Sequence, residues 1–230
     1  MMKRINKYRN LSYIINDKEV LTMKWRYAIA FILSFLSFFV LEYFNLETIF
    51  TNVLVFLLIL AIVFYPILHT VLFETNIDKI ERFLLKNNKN PNFYMIYALA
   101  NEMDDEVKEL TDKLLKKSNQ ESRQAMYRVV QALYFKDIAE AKLHVSKIKQ
   151  LHYRLYYQSI ILLEEGDLDG AVELMEKLPS PWMRDVILAE HAKKLNNLPT
   201  AKDYAKKALL SSKGLQHYLL HKTFEREFGI

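Results

Sequence analysis

The 230-residue chain contains no cysteine. That excludes a disulfide framework, a thiolate nucleophile and any cysteine-based metal site. Glycine (4) and proline (5) are scarce, and alternation of apolar and polar residues is rare, so an all-α chain is expected. There is no glycine-rich phosphate loop, no H-E-x-x-H and no G-x-S-x-G, which leaves the commonest catalytic signatures unrepresented. One further absence is local. From Thr48 to Phe73 there is no Asp, Glu, Lys or Arg.

That uncharged stretch, TIFTNVLVFLLILAIVFYPILHTVLF, is long enough to cross a bilayer core of about 30 Å at roughly 1.5 Å per helical residue. A shorter apolar run, Tyr27–Leu41, precedes it between Arg26 and Glu42; Trp25, Tyr43, Phe44 and Leu46 extend it. The pair reads as a transmembrane helical hairpin over 25–73. A hairpin buried in a soluble core is the alternative, but neither run offers the polar face that a soluble helix needs. The basic excess of the chain lies mainly before the hairpin. Residues 1–26 hold seven Lys and Arg against Asp17 and Glu19, a net of +5. This predicts a basic cytoplasmic tail, 1–24, drawn to membrane lipid, rather than a nucleic-acid footprint. The tail forms either a short surface helix or a partly ordered segment, and translation could start at Met1, Met2 or Met23. No small-x-small cleavage site follows the first run, so no cleaved signal peptide is expected. The bend between the runs carries Glu42 and Glu47, while Lys79, Arg82, Lys86 and Lys89 follow the second. Both termini are therefore expected in the cytoplasm of a multi-pass inner (cytoplasmic) membrane protein of bacterial type. Pro66 is expected to bend the second run, and His69 to sit near its cytoplasmic end.

Residues 74–230 read as successive short helices: Ile77–Lys86, Pro91–Asn101, Asp105–Lys117, Glu121–Phe135, Ile138–Gln150, His152–Glu165, Leu168–Leu178, Pro181–Leu195, Pro199–Ser211 and Leu215–Phe228. The breaks are a few residues long, as between antiparallel neighbours. Three segments share a pattern: KDIAEAKLHVSKI (136–148), GDLDGAVELMEKL (166–178) and NNLPTAKDYAKKAL (196–209). Two polar residues precede Ile138, Leu168 or Leu198, and an alanine follows three positions later, at Ala141, Ala171 and Ala201. A fainter copy places Val107 in the alanine's position. A small residue there lets two helices approach closely, and stacked hairpins share one continuous core. An irregular helical bundle is the alternative.

The stretch EEGDLDGAVELMEKLPSP resembles the tetratricopeptide (TPR) repeat, with Gly166 and Asp167 in the inter-helix turn, Ala171 in the second helix and Pro179 at the repeat end. The resemblance covers roughly Asn90–Ser211. The spacing is about thirty residues rather than thirty-four, the early tryptophan is absent, and Ser159 or Ala189 replaces a glycine. It implies a cytosolic TPR-like α-solenoid over 74–230, closed by Leu215–Phe228 as a capping helix that stays apolar enough to dock on something. It also implies a concave face, lined by the first helix of each hairpin, that takes a protein or peptide partner. Candidate partner-binding residues are then Arg123, Tyr127, Tyr134, Tyr153, Arg154, Tyr156, Tyr157, Lys193 and Lys194. HYRLYYQ (152–158) is the most suggestive cluster, because Tyr and Arg are favoured in interfaces. Equally, such tyrosines can pack between hairpins with their hydroxyls at the edge.

His217 and His221, at i and i+4, have no carboxylate at matching spacing and read as surface histidines; His144 and His152 are isolated. Asp104, Asp105 and Glu106 suit a helix N-terminus. Glu164, Glu165, Asp167 and Asp169 lack the register of a calcium loop. No catalytic residue, cofactor or metal is expected. The expected function is a non-enzymatic, membrane-anchored scaffold or adaptor. The alternative is a non-catalytic or regulatory subunit of a membrane enzyme or transport complex, with the hairpin as the working part.

Overall fold

A computed structural model describes residues 49–230, together with positions 32, 35–37 and 43. The basic tail and most of the first apolar run lie outside the described residues. The chain divides into two compact units, Met1–His69 and Thr70–Ile230. Among the described residues the fold is all-helical, with eleven helices and no strand.

Helix α1, Ile49–Leu72, runs unbroken through Pro66. Phe56, Leu57, Phe64, Tyr65, Leu68 and Leu72 are exposed along it. Within it, Val55–Leu72 is long and apolar enough to cross a membrane by length and composition, and no other helix among the described residues is.

The second unit carries α2 (Ile77–Lys86), α3 (Pro91–Ala100), α4 (Asp104–Lys117), α5 (Glu121–Tyr134), α6 (Ile138–Val145), α7 (Leu151–Glu165), α8 (Leu168–Glu176), α9 (Pro181–Lys194), α10 (Leu198–Ser211) and α11 (Gly214–Phe228). The closest helix pairs are α3/α4, α5/α6, α7/α8 and α9/α10, each a helical hairpin. Consecutive hairpins also touch, through α4/α5, α6/α7 and α8/α9.

The four hairpin turns share one geometry. Each first helix ends in a left-handed residue: Glu102 (φ 53°), Lys136 (φ 59°), Gly166 (φ 86°) and Asn196 (φ 57°). The next amide reaches back five residues and satisfies an orphan carbonyl of the helix end. Met103 N–H donates to Ala98 O (3.0 Å), Asp137 to Ala132 (2.8 Å), Asp167 to Leu162 (2.9 Å) and Asn197 to Ala192 (2.8 Å). That same residue then caps the second helix. Asp137 accepts from Glu140 N–H (3.0 Å), Asp167 from Gly170 N–H (3.0 Å) and Asn197 from Thr200 N–H (3.2 Å). Such a cap contributes about 1 kcal/mol. Met103 has no such side chain, and Asp104, Asp105 and Glu106 instead complement the N-terminal dipole of α4. The two polar residues seen in the sequence are thus the left-handed residue and the N-cap.

Three residues into each second helix, Val107, Ala141, Ala171 and Ala201 are all fully buried. Ala141 packs with Ala125, Val129 and Ala132 of the preceding helix. Ala171 packs with Leu163 before it and with Met183 and Ile187 after it. Helix α6 stops at Val145, five residues before the boundary predicted from sequence. Ile148 turns into the core instead, and Lys149 N–H donates to Ser122 Oγ at 2.8 Å, so a tight turn replaces the last helical turn.

The last helix does not stop at the end of the stack. α11 touches α10 and also α2 and α3, at the other end of the sequence. Leu220 and Phe224 pack with Val186 and Ala189 of α9. Tyr218 packs with Ile80, Leu84 and Ala100, and Asn101 Nδ2 donates to its hydroxyl at 3.1 Å. Arg226 donates to Ala100 O and pairs with Glu102 at 3.1 Å. At its start, Gly214 N–H donates to Glu74 O at 2.7 Å. The row of hairpins is therefore joined end to end by its final helix.

Candidate partner surface

The tyrosines proposed from sequence lie on the first helices of the hairpins, and burial treats them unequally. Tyr156 and Tyr157 are held among neighbours. Tyr156 meets Trp182 edge-on, with ring centres 5.6 Å apart, and Tyr157 at 5.2 Å. Tyr156 joins the clusters around Leu163 and around Val186, while Tyr157 packs against the cluster around Ala141. Burial pushes both phenols well above the usual tyrosine range. Tyr153 packs in two successive clusters, and its ring lies 4.3 Å from that of His152. These three tyrosines bridge consecutive hairpins.

Arg154 Nη1 donates to Ile148 O at 3.4 Å, and Arg184 repeats the arrangement thirty residues on, donating to Leu178 O at 2.7 Å. Each guanidinium satisfies the carbonyl of an inter-hairpin turn. The sequence reading missed this role, although the six-residue offset from Ile148 to Arg154 and from Leu178 to Arg184 was available as a signal. Tyr134 donates to Asp104 Oδ1 at 2.6 Å. Burial first, and that carboxylate second, raise its phenol.

Lys193 and Lys194 are already engaged. Lys193 pairs with Glu190 (3.2 Å) and with Glu227 of α11 (2.9 Å), and Lys194 with Glu164 (2.7 Å). Burial alone would lower the Lys193 ammonium, but the two carboxylates outweigh it and the net shift is upward. Burial also raises Glu190, with Lys193 opposing and Glu227 reinforcing. Lys193 thus ties α9 to α11.

Arg123 is exposed beside half-buried Tyr127, whose ring packs against the cluster around Met95 and Val107 of the preceding hairpin. The two sit one turn apart on α5. The Tyr127 hydroxyl donates to Asn92 Oδ1 at 2.9 Å. Burial raises its phenol and the Arg123 charge opposes that. A guanidinium beside an amphipathic ring can pair with a carboxylate and stack on an apolar side chain at once. Among the described residues no group of three or more His, Asp and Glu gathers into a metal-ligand cluster. His217 and His221 lie 6.5 Å apart on α11. His217 Nδ1 shares its hydrogen bonding with Leu209 O and Ser212 Oγ, both at 3.1 Å.

Protein-family models, curated proteins and solved structures give no match to this chain.

Proposed function

We propose that the chain is a membrane-anchored scaffold, in which a TPR-like array of helical hairpins recruits a protein partner at the membrane surface. The observation that carries this reading is the join between the two parts. Four residues, 73–76, separate the membrane-length apolar helix from the first helix of the array. Gly214, at the start of the last helix, is bonded through its N–H to the Glu74 carbonyl within that connection. An array that follows its anchor after so short a connection is confined to the membrane surface, which raises its effective concentration toward other membrane-bound proteins. The repeated turn geometry and the buried Val107, Ala141, Ala171 and Ala201 support the TPR-like reading. The apolar run Tyr27–Leu41 supports a second span, with both termini in the cytoplasm. Arg123, with the edge of the Tyr127 ring beside it, is the face we assign to the partner, because Arg123 is exposed while Tyr127 and the other candidates also support the array.

The absence of cysteine makes the test direct. Single cysteines at Ser12, Asn45 and Asn119, one per variant, are treated in intact cells with a membrane-impermeant thiol reagent. Only the Asn45 variant is expected to label. Labelling at Asn119, which is exposed on the array, would place the array outside and overturn the cytosolic reading. For the partner face, a photo-crosslinker at Arg123 in native membranes is expected to give a discrete adduct. The same adduct from an exposed control position, Glu176, would overturn the assignment.

A further inference from the structure

The end of α10 combines an exposed leucine with three exposed lysines. Leu210 is 86 % exposed, the most exposed large apolar side chain of the array among the described residues, ahead of Leu143 at 67 %. Lys206 stands one turn before it, Lys207 beside that, and Lys213 follows in the turn to α11; all three are exposed. A single exposed leucine is ordinary on a protein surface. The position of this one is not. Gly214 packs so tightly on the Val71 carbonyl, in the last turn of α1, that a Cβ would collide with it. Its N–H is bonded to Glu74 O. Four residues reach at most roughly 14 Å, so Leu210 lies within that span of Gly214, which itself touches the last turn of the apolar helix, next to exposed Leu72 and Phe73.

The headgroup zone on each side of a bilayer core is about 5–8 Å deep, and amphipathic segments sink about 5–10 Å into its boundary with the acyl chains. We propose that this tip is a lipid-contacting edge: Leu210 enters the headgroup boundary of an anionic bilayer, and Lys206, Lys207 and Lys213 bind its phosphates. The proposal rests on α1 crossing the membrane. The acidic groups nearby do not cancel the edge. The Glu74 carboxylate accepts from the Thr75 and Asn76 amides and pairs with Lys79, and Asp203 stands about two turns before Leu210. Lys207 Nζ lies 4.6 Å from the centre of the Tyr204 ring and faces Asp185, which makes it the least available of the three cations.

The test uses the full chain in vesicles of phosphatidylcholine with phosphatidylglycerol. Cysteines at Leu57, Leu143 or Leu210, one per variant, carry an environment-sensitive fluorophore, and a spin-labelled phospholipid is the quencher. Quenching is expected at Leu57 and Leu210 and not at Leu143. Lys213→Gln is expected to shift the bound-to-free ratio of the edge roughly fivefold toward water in anionic vesicles, and to leave it unchanged in phosphatidylcholine alone. Quenching at Leu57 without quenching at Leu210 overturns the edge and leaves the spanning helix standing. No quenching at Leu57 overturns the spanning helix, and the edge with it. Shielding of Leu210 from a water-soluble quencher without quenching by the lipid means that a protein or a second copy covers it, and also overturns the edge.

Discussion

The four hairpins and the seam that joins their ends hold together by different means. A hairpin is local. A left-handed residue, an N-cap and a small buried residue lie within six positions of one another in α5/α6, α7/α8 and α9/α10, and α3/α4 keeps the left-handed residue and the buried position but has no side-chain cap. The seam is long-range. Asn101 meets Tyr218 and Ala100 meets Arg226 across 117 and 126 residues of chain. A repeat tolerates variation because its neighbours carry the same solution, whereas each seam contact occurs once. Damage to the seam should therefore separate the two ends of the array, while damage to one hairpin should stay near that hairpin.

The largest effect is expected at Gly214. Its left-handed backbone (φ 61°) disfavours any side chain, and a Cβ would meet the Val71 carbonyl. Gly214→Ala should destabilise the second unit by about 3 kcal/mol, strain and collision combined. Chemical unfolding of the detergent-solubilised protein reads this as a lowered midpoint. An unchanged midpoint would mean that the seam does not hold the array.

Inside a hairpin, Ala171→Leu should cost about 1–3 kcal/mol by overpacking the contacts to Leu163, Met183 and Ile187. Ala139→Leu, on an exposed position of α6, should change stability by less than about 0.5 kcal/mol. Equal effects from the two would dissolve the distinction between the small buried position and any other alanine.

The turns isolate backbone conformation from packing. Nothing lies within 4 Å of a Cβ at Gly166, yet its φ is 86°. Gly166→Ala should destabilise by about 1 kcal/mol, and Lys136→Gly, at φ 59°, should stabilise by about 0.5–1 kcal/mol. Thermal scans of the two variants should move in opposite directions.

The smallest expected effect is a pH dependence at the seam. Burial holds the His217 imidazole below its ordinary value, with the neighbouring His221 acting in the same sense and the Leu209 and Thr75 carbonyls opposing. The unfolded chain then binds the proton first. The contribution of His217 is complete above about pH 6.5 and declines as pH falls through that value toward the lowered folded one. Glu190, raised by burial, acts in the opposite sense at lower pH, from about 4.5 upward, so the difference between wild type and His217→Gln is the quantity to follow. Equal slopes from pH 7.5 to 5 in the two proteins would remove His217 from the account.

Much of the array was legible in the sequence. Pro91, Pro181 and the polar pairs before Ile138, Leu168 and Leu198 mark helix starts, and nine of the ten helices after Glu74 both begin and end within two residues of the expected places. The exception, α6, ends early because Ile148 is drawn into the core, a demand that only its neighbours impose. The candidate surface was less legible. Tyrosine and arginine on a first helix look alike in sequence whether they face a partner or the next hairpin. Only the packing separates Tyr156 and Tyr157, wedged against Trp182 or one another, from Arg123 at the surface.

The sequence by itself determined the all-helical class, the membrane-length apolar run and the hairpin turns. Each of these depends on interactions among residues a few positions apart, so composition and spacing suffice. The tertiary structure alone decided where α11 goes, which tyrosines are spent on packing and why Gly214 must be glycine. The tyrosine packing depends on the neighbouring hairpin, and the other two on groups more than a hundred residues apart that share no pattern.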